Sequence, residues 1–307
     1  MGMTLLEYAK GVQDDYRRGV IEIYGSTNDI LFALPFSDIN GNAVHYSQEA
    51  ALPGIAFRGI NEGYTASAGV LNPVTETLAI AGGDIDVDVQ VVRMFGQERR
   101  TQEEVGKIKA LTHAVAQKVI KGDSTAISKE FDGLQRRLTG SQVISNGSSS
   151  GGDPLSLAKL DEAIDAVDSP THLIMSKAMR RRLSTAARTT SVTGNVDWLP
   201  DAIGRRQMVY QDLPILIADE NSNPNAALAF NESGTGGGST ATSIYVVSFG
   251  DGMLTGIQNS IPDARDLGEI SSSPVYRSRV EWAMGIALWH PRAAARLRDI
   301  SNAAVTA

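Results

Sequence analysis

The chain has 307 residues, of which 42% are hydrophobic and 21% are charged, and its formal net charge is -7. This composition is typical of a globular protein with a substantial core, and it excludes a collagen-like or largely disordered chain. The negative charge argues against broad electrostatic attraction to nucleic acid. The absence of cysteine excludes disulfides, thiolate metal sites and cysteine nucleophiles.

The N-terminal residues, MGMTLLEYAK, have neither the basic start nor the apolar centre of a signal peptide. No run of about 18 apolar residues follows that would span a membrane. We therefore expect a chain made in the cytoplasm, with no membrane partner. Residues 1–33 are predicted to form an N-terminal arm with a short helix over LLEYAKGVQDDYRRGVIEIYG.

Residues 34–80 are rich in turn signals. Asn40–Gly41 fits a two-residue hairpin turn and Pro53–Gly54 a second turn. Between them and the next strand, the stretch LPGIAFRGINEGYTASAG (residues 52–69) places its large apolar residues at neither helical nor strand spacing. This pattern predicts a long, hairpin-like loop that cannot bury its own apolar groups.

A strand and a long helix are predicted next. In GDIDVDVQVV, apolar Ile85 to Val91 alternate with polar residues, which predicts a strand with one buried face. Thr101 and Glu104 fit a capping box that starts a helix ending near Gly122. About 20 residues would give a rod roughly 30 Å long.

Residues 131–264 are predicted to form a mixed α+β domain. Apolar periodicity favours helices around Leu157–Val167 and Met179–Ala187, and the segments HLIM, LPILIADE and SIYVVSFGDG are predicted strands. Residues 276–288 then alternate for a dozen positions until Pro291. This long strand needs a partner that is distant in sequence, and the Ile85–Val91 strand is the natural candidate.

Two patterns resemble sites of chemistry. GSSSG formally matches a nucleophile elbow with Ser149, but Gly151 to Pro154 leave no helix for an oxyanion hole. Asp84, Asp86 and Asp88 resemble the start of a calcium loop, but Val89 and Phe95 occupy the positions where that loop needs Gly and Glu. These carboxylates remain a weak candidate for an interfacial cation, and a solvated or arginine-paired face is preferred.

The remaining candidates predict no cofactor and no catalytic residue. The four histidines (His45, His113, His172 and His290) show no metal-ligand spacing, and GTGGGST lacks the ending of a phosphate-binding loop. The run Arg180–Arg181–Arg182 favours a solvated or inter-subunit helix face over a DNA clamp.

The order of elements and several blocks carry a resemblance to a known family. The blocks are LPF…GNAVHYSQEAALPGIAFRGINEGYTAS, GGDIDVDVQVV, IKGDSTAISKEFDGLQRRL, LDEAIDAVDSPTHLIMSKAMRRRL and WAMGIALWHPRAAARLRDI. As a series they resemble the major capsid proteins of tailed bacteriophages, which have the HK97-type fold. The resemblance implies an α+β fold with an N-terminal arm (1–33), an extended E-loop (34–80), a P-domain with its spine helix (81–130), an A-domain (131–264), and a P-domain return strand and C-terminus (265–307).

The resemblance also implies function and partners. The chain would assemble with itself into hexamers and pentamers of an icosahedral shell around double-stranded DNA, bound without sequence specificity. The shell would be the virion capsid, made in a bacterial cytoplasm, with a portal and separate scaffolding and decoration proteins as further partners. Scaffolding is expected to be separate because the arm begins near Leu5, unless the chain is a mature product.

On this resemblance the E-loop would contact a neighbouring subunit through Ile55, Phe57, Arg58, Ile60, Glu62 and Tyr64, with Arg58 and Glu62 in ion pairs between subunits. Some members cross-link covalently through an E-loop lysine, but no lysine occurs between Lys10 and Lys107. We therefore expect no such cross-link. Two alternatives stay open: an encapsulin-like nanocompartment shell protein and, more remotely, a serine hydrolase built on Ser149.

Overall fold

The computed structural model describes residues 4, 28–188, 196–200, 206–218 and 226–306. The predicted helix of the N-terminal arm lies outside the described residues. Six α-helices lie within the described ranges: α1 Asp29–Ala33, α2 Val89–Phe95, α3 Gln97–Lys121, α4 Leu134–Arg137, α5 Leu157–Asp165 and α6 Lys177–Ala186. A 3₁₀ turn spans Gly140–Gln142.

The described strands are β1 Phe36–Asp38, β2 Ala43–Ala51, β3 Val70–Thr77, β4 Ala79–Asp88, β5 Val143–Ser145, β6 His172–Met175, β7 Val196–Pro200, β8 Arg206–Tyr210, β9 Leu213–Ile217, β10 Thr242–Val247, β11 Leu254–Gln258, β12 Asp263–Glu269, β13 Val275–Leu288 and β14 Ala294–Ile300. They form a five-stranded sheet (β1, β4, β11, β12, β13), a seven-stranded sheet in the order β5-β14-β10-β6-β9-β8-β7, and the separate pair β2-β3.

The long strand β13 organises the five-stranded sheet. One edge pairs antiparallel with β4, from Val275 opposite Asp88 to Met284 opposite Ala79. The other edge pairs with β12 and then with β11. The structure therefore confirms the predicted pairing of two strands almost 200 residues apart.

The strand β4 ends earlier than predicted, and a short helix, α2, follows it. β4 stops at Asp88, whose side chain accepts a hydrogen bond from the Gln90 amide and so caps α2. Val89 and Val92 are buried on one face of this helix. The prediction of strand as far as Val91 was wrong because apolar residues three apart also fit a helix.

The long helix α3 begins at Gln97 and has 25 residues, or about 37 Å at 1.5 Å per residue. The predicted capping box was wrong. The Thr101 hydroxyl donates to the Gln97 carbonyl inside the helix at 3.3 Å, and Glu104 accepts from Ser278 Oγ at 2.6 Å. The helix does end before Gly122, as predicted.

Two turn predictions also need correction. Gly41 has a φ of 99°, as a turn glycine should, but β1 and β2 do not pair; β1 joins β11 instead. Residues 34–38 therefore belong to the core, where Leu34 and Phe36 are fully buried. Pro53–Gly54 forms no turn, and the turn falls at Ile60–Asn61, where Asn61 has a φ of 70°.

The core is divided by the seven-stranded sheet. On one face, α5 and α6 cover a cluster that includes Leu160, Leu183 and Ile244. The other face contributes to a second cluster with α3, α4 and the five-stranded sheet. Alternate residues of β10 point into each cluster, Ile244 into the first and Tyr245 into the second.

Residues 264 and 265, where the sequence placed a boundary between domains, lie within β12. β11 and β12 belong with β13, whereas β14 lies beside β10 and β5 in the seven-stranded sheet. The C-terminal strand thus leaves the long return strand and enters the other sheet. None of the described helices is both long and apolar enough to cross a membrane.

Candidate assembly surface

The hairpin β2-β3 carries the tip loop, which we define as residues 52–69. Its two strands pair from Ala43 opposite Thr77 to the region of Val70. Among the described residues, neither strand pairs with another sheet. The strands therefore hold the tip loop away from both hydrophobic clusters.

The apolar side chains of the tip loop are exposed to solvent. The exposed fractions are 91% for Ile55, 102% for Phe57 and 94% for Ile60. Tyr64 is 70% exposed and Leu52 77%. Side chains this exposed contribute no hydrophobic stabilisation to a single chain. A group of exposed apolar side chains typically marks an interaction site.

Arg58 and Glu62 contact groups within the same tip loop. The Arg58 guanidinium lies 5.1 Å from the centre of the Tyr64 ring, and its Nη1 donates to the Glu62 carbonyl oxygen at 3.2 Å. The Glu62 carboxylate accepts from the Gly59 amide at 2.8 Å. These contacts shape the turn around Asn61, and ion pairs of Arg58 and Glu62 with another subunit remain a prediction.

The base of the hairpin is fastened to the body of the chain. The Tyr46 hydroxyl donates to the Leu288 carbonyl at 2.9 Å, and its ring lies 4.6 Å from that of Trp289. Burial, assisted by the neighbouring Glu76 carboxylate, raises the pKa of Tyr46, so it stays a hydrogen-bond donor. Glu76 forms a bidentate ion pair with Arg137, with Nη2 at 2.6 Å from Oε2.

Sequence reasoning missed this base entirely. Tyr46 and Leu288 are 242 residues apart, and no local spacing connects them. The one available signal was Glu76 on β3, because a carboxylate on the strand after an apolar loop could have indicated an ion pair with a distant residue. A cleft of about 610 Å³ opens beside the base and is lined by Gln48, Glu76 and Arg137 among others.

The three aspartates of β4 are engaged by protein groups. Arg277 and Arg279 stand opposite Asp86 and Asp84 on β13. Arg277 Nε donates to Asp86 at 2.6 Å and Arg279 Nε to Asp84 at 2.6 Å. These hydrogen bonds lower the pKa of both carboxyls.

Asp88 instead caps α2. The structure therefore shows the arginine-paired face that was the preferred interpretation of these aspartates. A cation site was the weaker alternative. Within the described ranges, no group of three or more His, Asp or Glu side chains could hold a metal ion.

The nucleophile elbow expected of a hydrolase is not formed around Ser149. The Ser149 amide donates to Asp153 at 3.2 Å, the next α-helix begins only at Leu157, and Gly151 and Gly152 have positive φ. Within the described part of the chain, the side-chain partner of Ser149 is Asp153 and not a histidine. The serine lies in a loop, without the geometry of a nucleophile.

The histidines and the arginine run also have ordinary surroundings. His45 contacts Thr75, His172 contacts Thr171, and His290 lies 3.7 Å from Asp168. Arg180, Arg181 and Arg182 lie on α6, and Arg182 donates to the Asn302 carbonyl at 2.9 Å.

Comparison with known proteins finds one family model that matches part of the chain and a set of similar folds. Residues 13–157 match the family described as major capsid protein GP7. No curated protein matches the chain.

Among solved structures, the SrpI encapsulin of Synechococcus elongatus is 12% identical with a TM-score of 0.65, covering 91% of this chain and 89% of that one. The capsid of a native GTA particle is 15% identical with a TM-score of 0.59, covering 90% and 91%. The structure from Mycobacterium phage Adephagia is 13% identical with a TM-score of 0.60, covering 91% and 90%.

These similarities extend over nine-tenths of both chains, so they concern the whole fold and not one motif. The α+β fold class is common to them, as the sequence predicted. The chain therefore has the HK97-type fold of phage capsid and encapsulin shell proteins, and its N-terminal half is similar in sequence to the major capsid protein family GP7.

Proposed function

We propose that this chain is a structural subunit that assembles with copies of itself into the closed shell of a phage-type capsid. The tip loop is the observation that carries the proposal. It presents Ile55, Phe57 and Ile60 almost fully exposed on a hairpin whose base is fastened to the body. Burying each such side chain against a neighbouring subunit contributes about 1.5–3 kcal/mol.

The shell we propose is built from hexamers and pentamers and encloses double-stranded DNA. The match to a major capsid protein family over residues 13–157 supports a capsid more than any other container. The negative net charge agrees with DNA that is confined without sequence-specific contacts. In this proposal the chain acts by assembly and catalyses no reaction.

Assembly is tested by expressing the chain alone and together with a candidate scaffolding protein from the same source, followed by sedimentation and electron microscopy. We expect capsomers or closed particles. A stable monomer at high concentration under both conditions would contradict the proposal.

The role of the tip loop is tested with the triple change Ile55→Ser, Phe57→Ser and Ile60→Ser. Because these side chains are exposed in one chain, the variant should unfold at the same denaturant concentration as wild type and yet form no particles. Ile127→Ser, a change of the same kind at a half-exposed site outside the tip loop, is the matched control and should still assemble. Assembly of the triple variant would exclude the tip loop as an essential contact.

An encapsulin-like compartment is the second candidate, and the TM-score of 0.65 with an encapsulin chain favours keeping it. The two functions differ in particle contents. Particles purified from the native source should contain DNA if the chain is a capsid subunit, and a co-purifying protein cargo if it is an encapsulin.

A further inference from the structure

The sequence contains two Asn-Gly pairs, and the structure gives them opposite surroundings. They are Asn40–Gly41, between β1 and β2, and Asn146–Gly147, directly after β5. In such a pair the amide nitrogen of the glycine can attack the side-chain carboxamide of the asparagine, because glycine has no Cβ to hinder the approach. The reaction needs a free glycine amide and a carboxamide that can turn toward it.

The first pair is open to this reaction. Asn40 and Gly41 are both exposed. A Cβ placed on Gly41 would have no atom within 4 Å, so no neighbouring group crowds that side of the glycine. In the described part of the chain, neither the Gly41 amide nor the Asn40 carboxamide makes a hydrogen bond.

The turn around the first pair is held by other groups. The Ile39 amide donates to the Gln258 carbonyl at 2.8 Å, and Asn259 Nδ2 donates to the Gly41 carbonyl at 3.1 Å. These bonds fix the main chain on either side of Asn40. They leave its side chain free to approach the next amide nitrogen.

The second pair is held by its own side chain. Asn146 Nδ2 donates to the carbonyl oxygens of Asp153 at 3.1 Å and of Pro154 at 2.7 Å. Its Oδ1 accepts from the Ser156 amide at 2.9 Å. Asn146 and Gly147 are both half-buried. The carboxamide must therefore break these hydrogen bonds before it can reach the Gly147 nitrogen.

We propose that Asn40 is a site of spontaneous deamidation in the folded chain, and that the fold protects Asn146 from the same reaction. The nitrogen of Gly41 forms a bond to Cγ of Asn40, and the bond from Cγ to Nδ2 breaks. The proton of the Gly41 amide leaves with the departing nitrogen as ammonia. The product is a succinimide ring, and no oxidant or reductant is needed.

Water then opens the succinimide at either of its two carbonyl carbons. Opening at Cγ gives aspartate, and opening at the main-chain carbon gives isoaspartate, whose longer main chain runs through the former side chain. Both products carry a negative charge that asparagine lacks. The change falls between β1, which pairs with β11 in the body of the chain, and β2, which leads to the tip loop. It therefore alters the joint between the body and the hairpin.

This modification site goes beyond the proposed shell function, because the reaction needs no second chain. It can be followed on unassembled full-length chains. Failure of assembly and absence of deamidation are therefore separate results.

The test follows both pairs in the folded full-length chain during incubation in a mildly alkaline buffer, with peptide mapping by mass spectrometry at successive times. The peptide with Asn40 should gain the mass difference between an amide and an acid. It should also separate into aspartate and isoaspartate forms, which electron-transfer fragmentation distinguishes. The peptide with Asn146 should convert at least about tenfold more slowly, because its hydrogen bonds must break first.

The matched control is the same chain incubated in urea. Unfolding removes the difference between the two pairs, so both should convert at similar rates. An Asn40 that stays unmodified in the folded chain while the unfolded chain reacts would overturn the proposal. Equal rates for Asn40 and Asn146 in the folded chain would overturn it as well.

The variant Asn40→Gln identifies the reacting residue. It changes an exposed side chain and should leave the fold intact, and the longer glutamine side chain forms the corresponding ring far more slowly. The peptide that contains residue 40 should then keep its original mass. The same mass gain in this variant would assign the reaction to another residue of that peptide and would contradict the proposal.

Discussion

Partial burial of the His172 ring makes the stability of the folded chain sensitive to acid. Its ring lies 5.2 Å from that of Phe249, and burial lowers the pKa of His172 from 6.5 to about 4. Between these two values the unfolded chain binds a proton that the folded chain does not. The free energy of unfolding should therefore fall as the pH drops from about 6.5 to about 4, by up to about 3 kcal/mol from this group.

Urea denaturation at several pH values checks this expectation. His172→Gln should flatten the loss of stability across that window, while the same change at exposed His45 should leave it as in wild type. Equal slopes for wild type and His172→Gln would contradict the assignment.

The ion pair between Glu76 and Arg137 holds the base of the hairpin to the body of the chain. The side chains are 10% and 11% exposed. Removing one partner of a buried pair leaves a charge without compensation, so Arg137→Ala should cost about 3–5 kcal/mol in the free energy of unfolding. Lys159→Ala is the control, since its pair with Glu162 is 44% and 54% exposed and should contribute at most about 1 kcal/mol. If both variants lost a similar free energy of unfolding, the ion pair at the base would contribute no more than an exposed one.

A glycine inside the long helix α3 and the glycine that follows its last residue should respond in opposite ways to the same substitution. A Cβ on Gly122 would lie 2.2 Å from the Phe131 carbonyl oxygen, whereas a Cβ on Gly106 would have no atom within 4 Å. Gly122→Ala should therefore destabilise the chain by about 1–3 kcal/mol, because the backbone of the next segment must move. Gly106→Ala should stabilise it by up to about 1 kcal/mol. Thermal unfolding of the two variants beside wild type distinguishes them, and a shift in the same direction for both would contradict the close approach.

Elements with strong periodicity were predictable from the sequence, and their ends were not. The alternation in β4 and β13 correctly indicated a pairing across almost 200 residues, because each strand exposes one face and buries the other. The boundary at Asp88 was missed since a carboxylate that caps a helix looks the same in sequence as one on a strand face. The start of α3 was missed for a similar reason, as Gly96 ends one helix and begins the next.

The candidate assembly surface was predictable in part. The apolar residues Ile55, Phe57 and Ile60 are spaced neither as in a buried helix nor as in a buried strand. Their exposure could therefore be predicted from the sequence. The base of the hairpin depends on contacts of Tyr46 with Leu288 and of Glu76 with Arg137. Such contacts between distant segments leave no local spacing to read.

The body of the chain and the tip loop differ in how their apolar side chains are buried. Two buried clusters on either side of the seven-stranded sheet hold the body together without disulfides. The tip loop contributes nothing to either cluster. In the proposed shell its apolar groups are buried by a neighbouring copy, so the stability of a particle should depend on burial between chains.

The absence of lysine between Lys10 and Lys107 leads to the last prediction. The tip loop has no amine with which to form a covalent bond to a neighbour, so particles boiled in SDS should run as a single monomer band. In native conditions the same particles should dissociate at lower denaturant concentration when Phe57 is changed to Ser, because only burial holds the tip loop in place. A control change at Thr65, from Thr to Ser, keeps the apolar groups of the tip loop and should leave the dissociation midpoint unchanged. A ladder of multimers after boiling would show a covalent link between subunits and would refute the prediction.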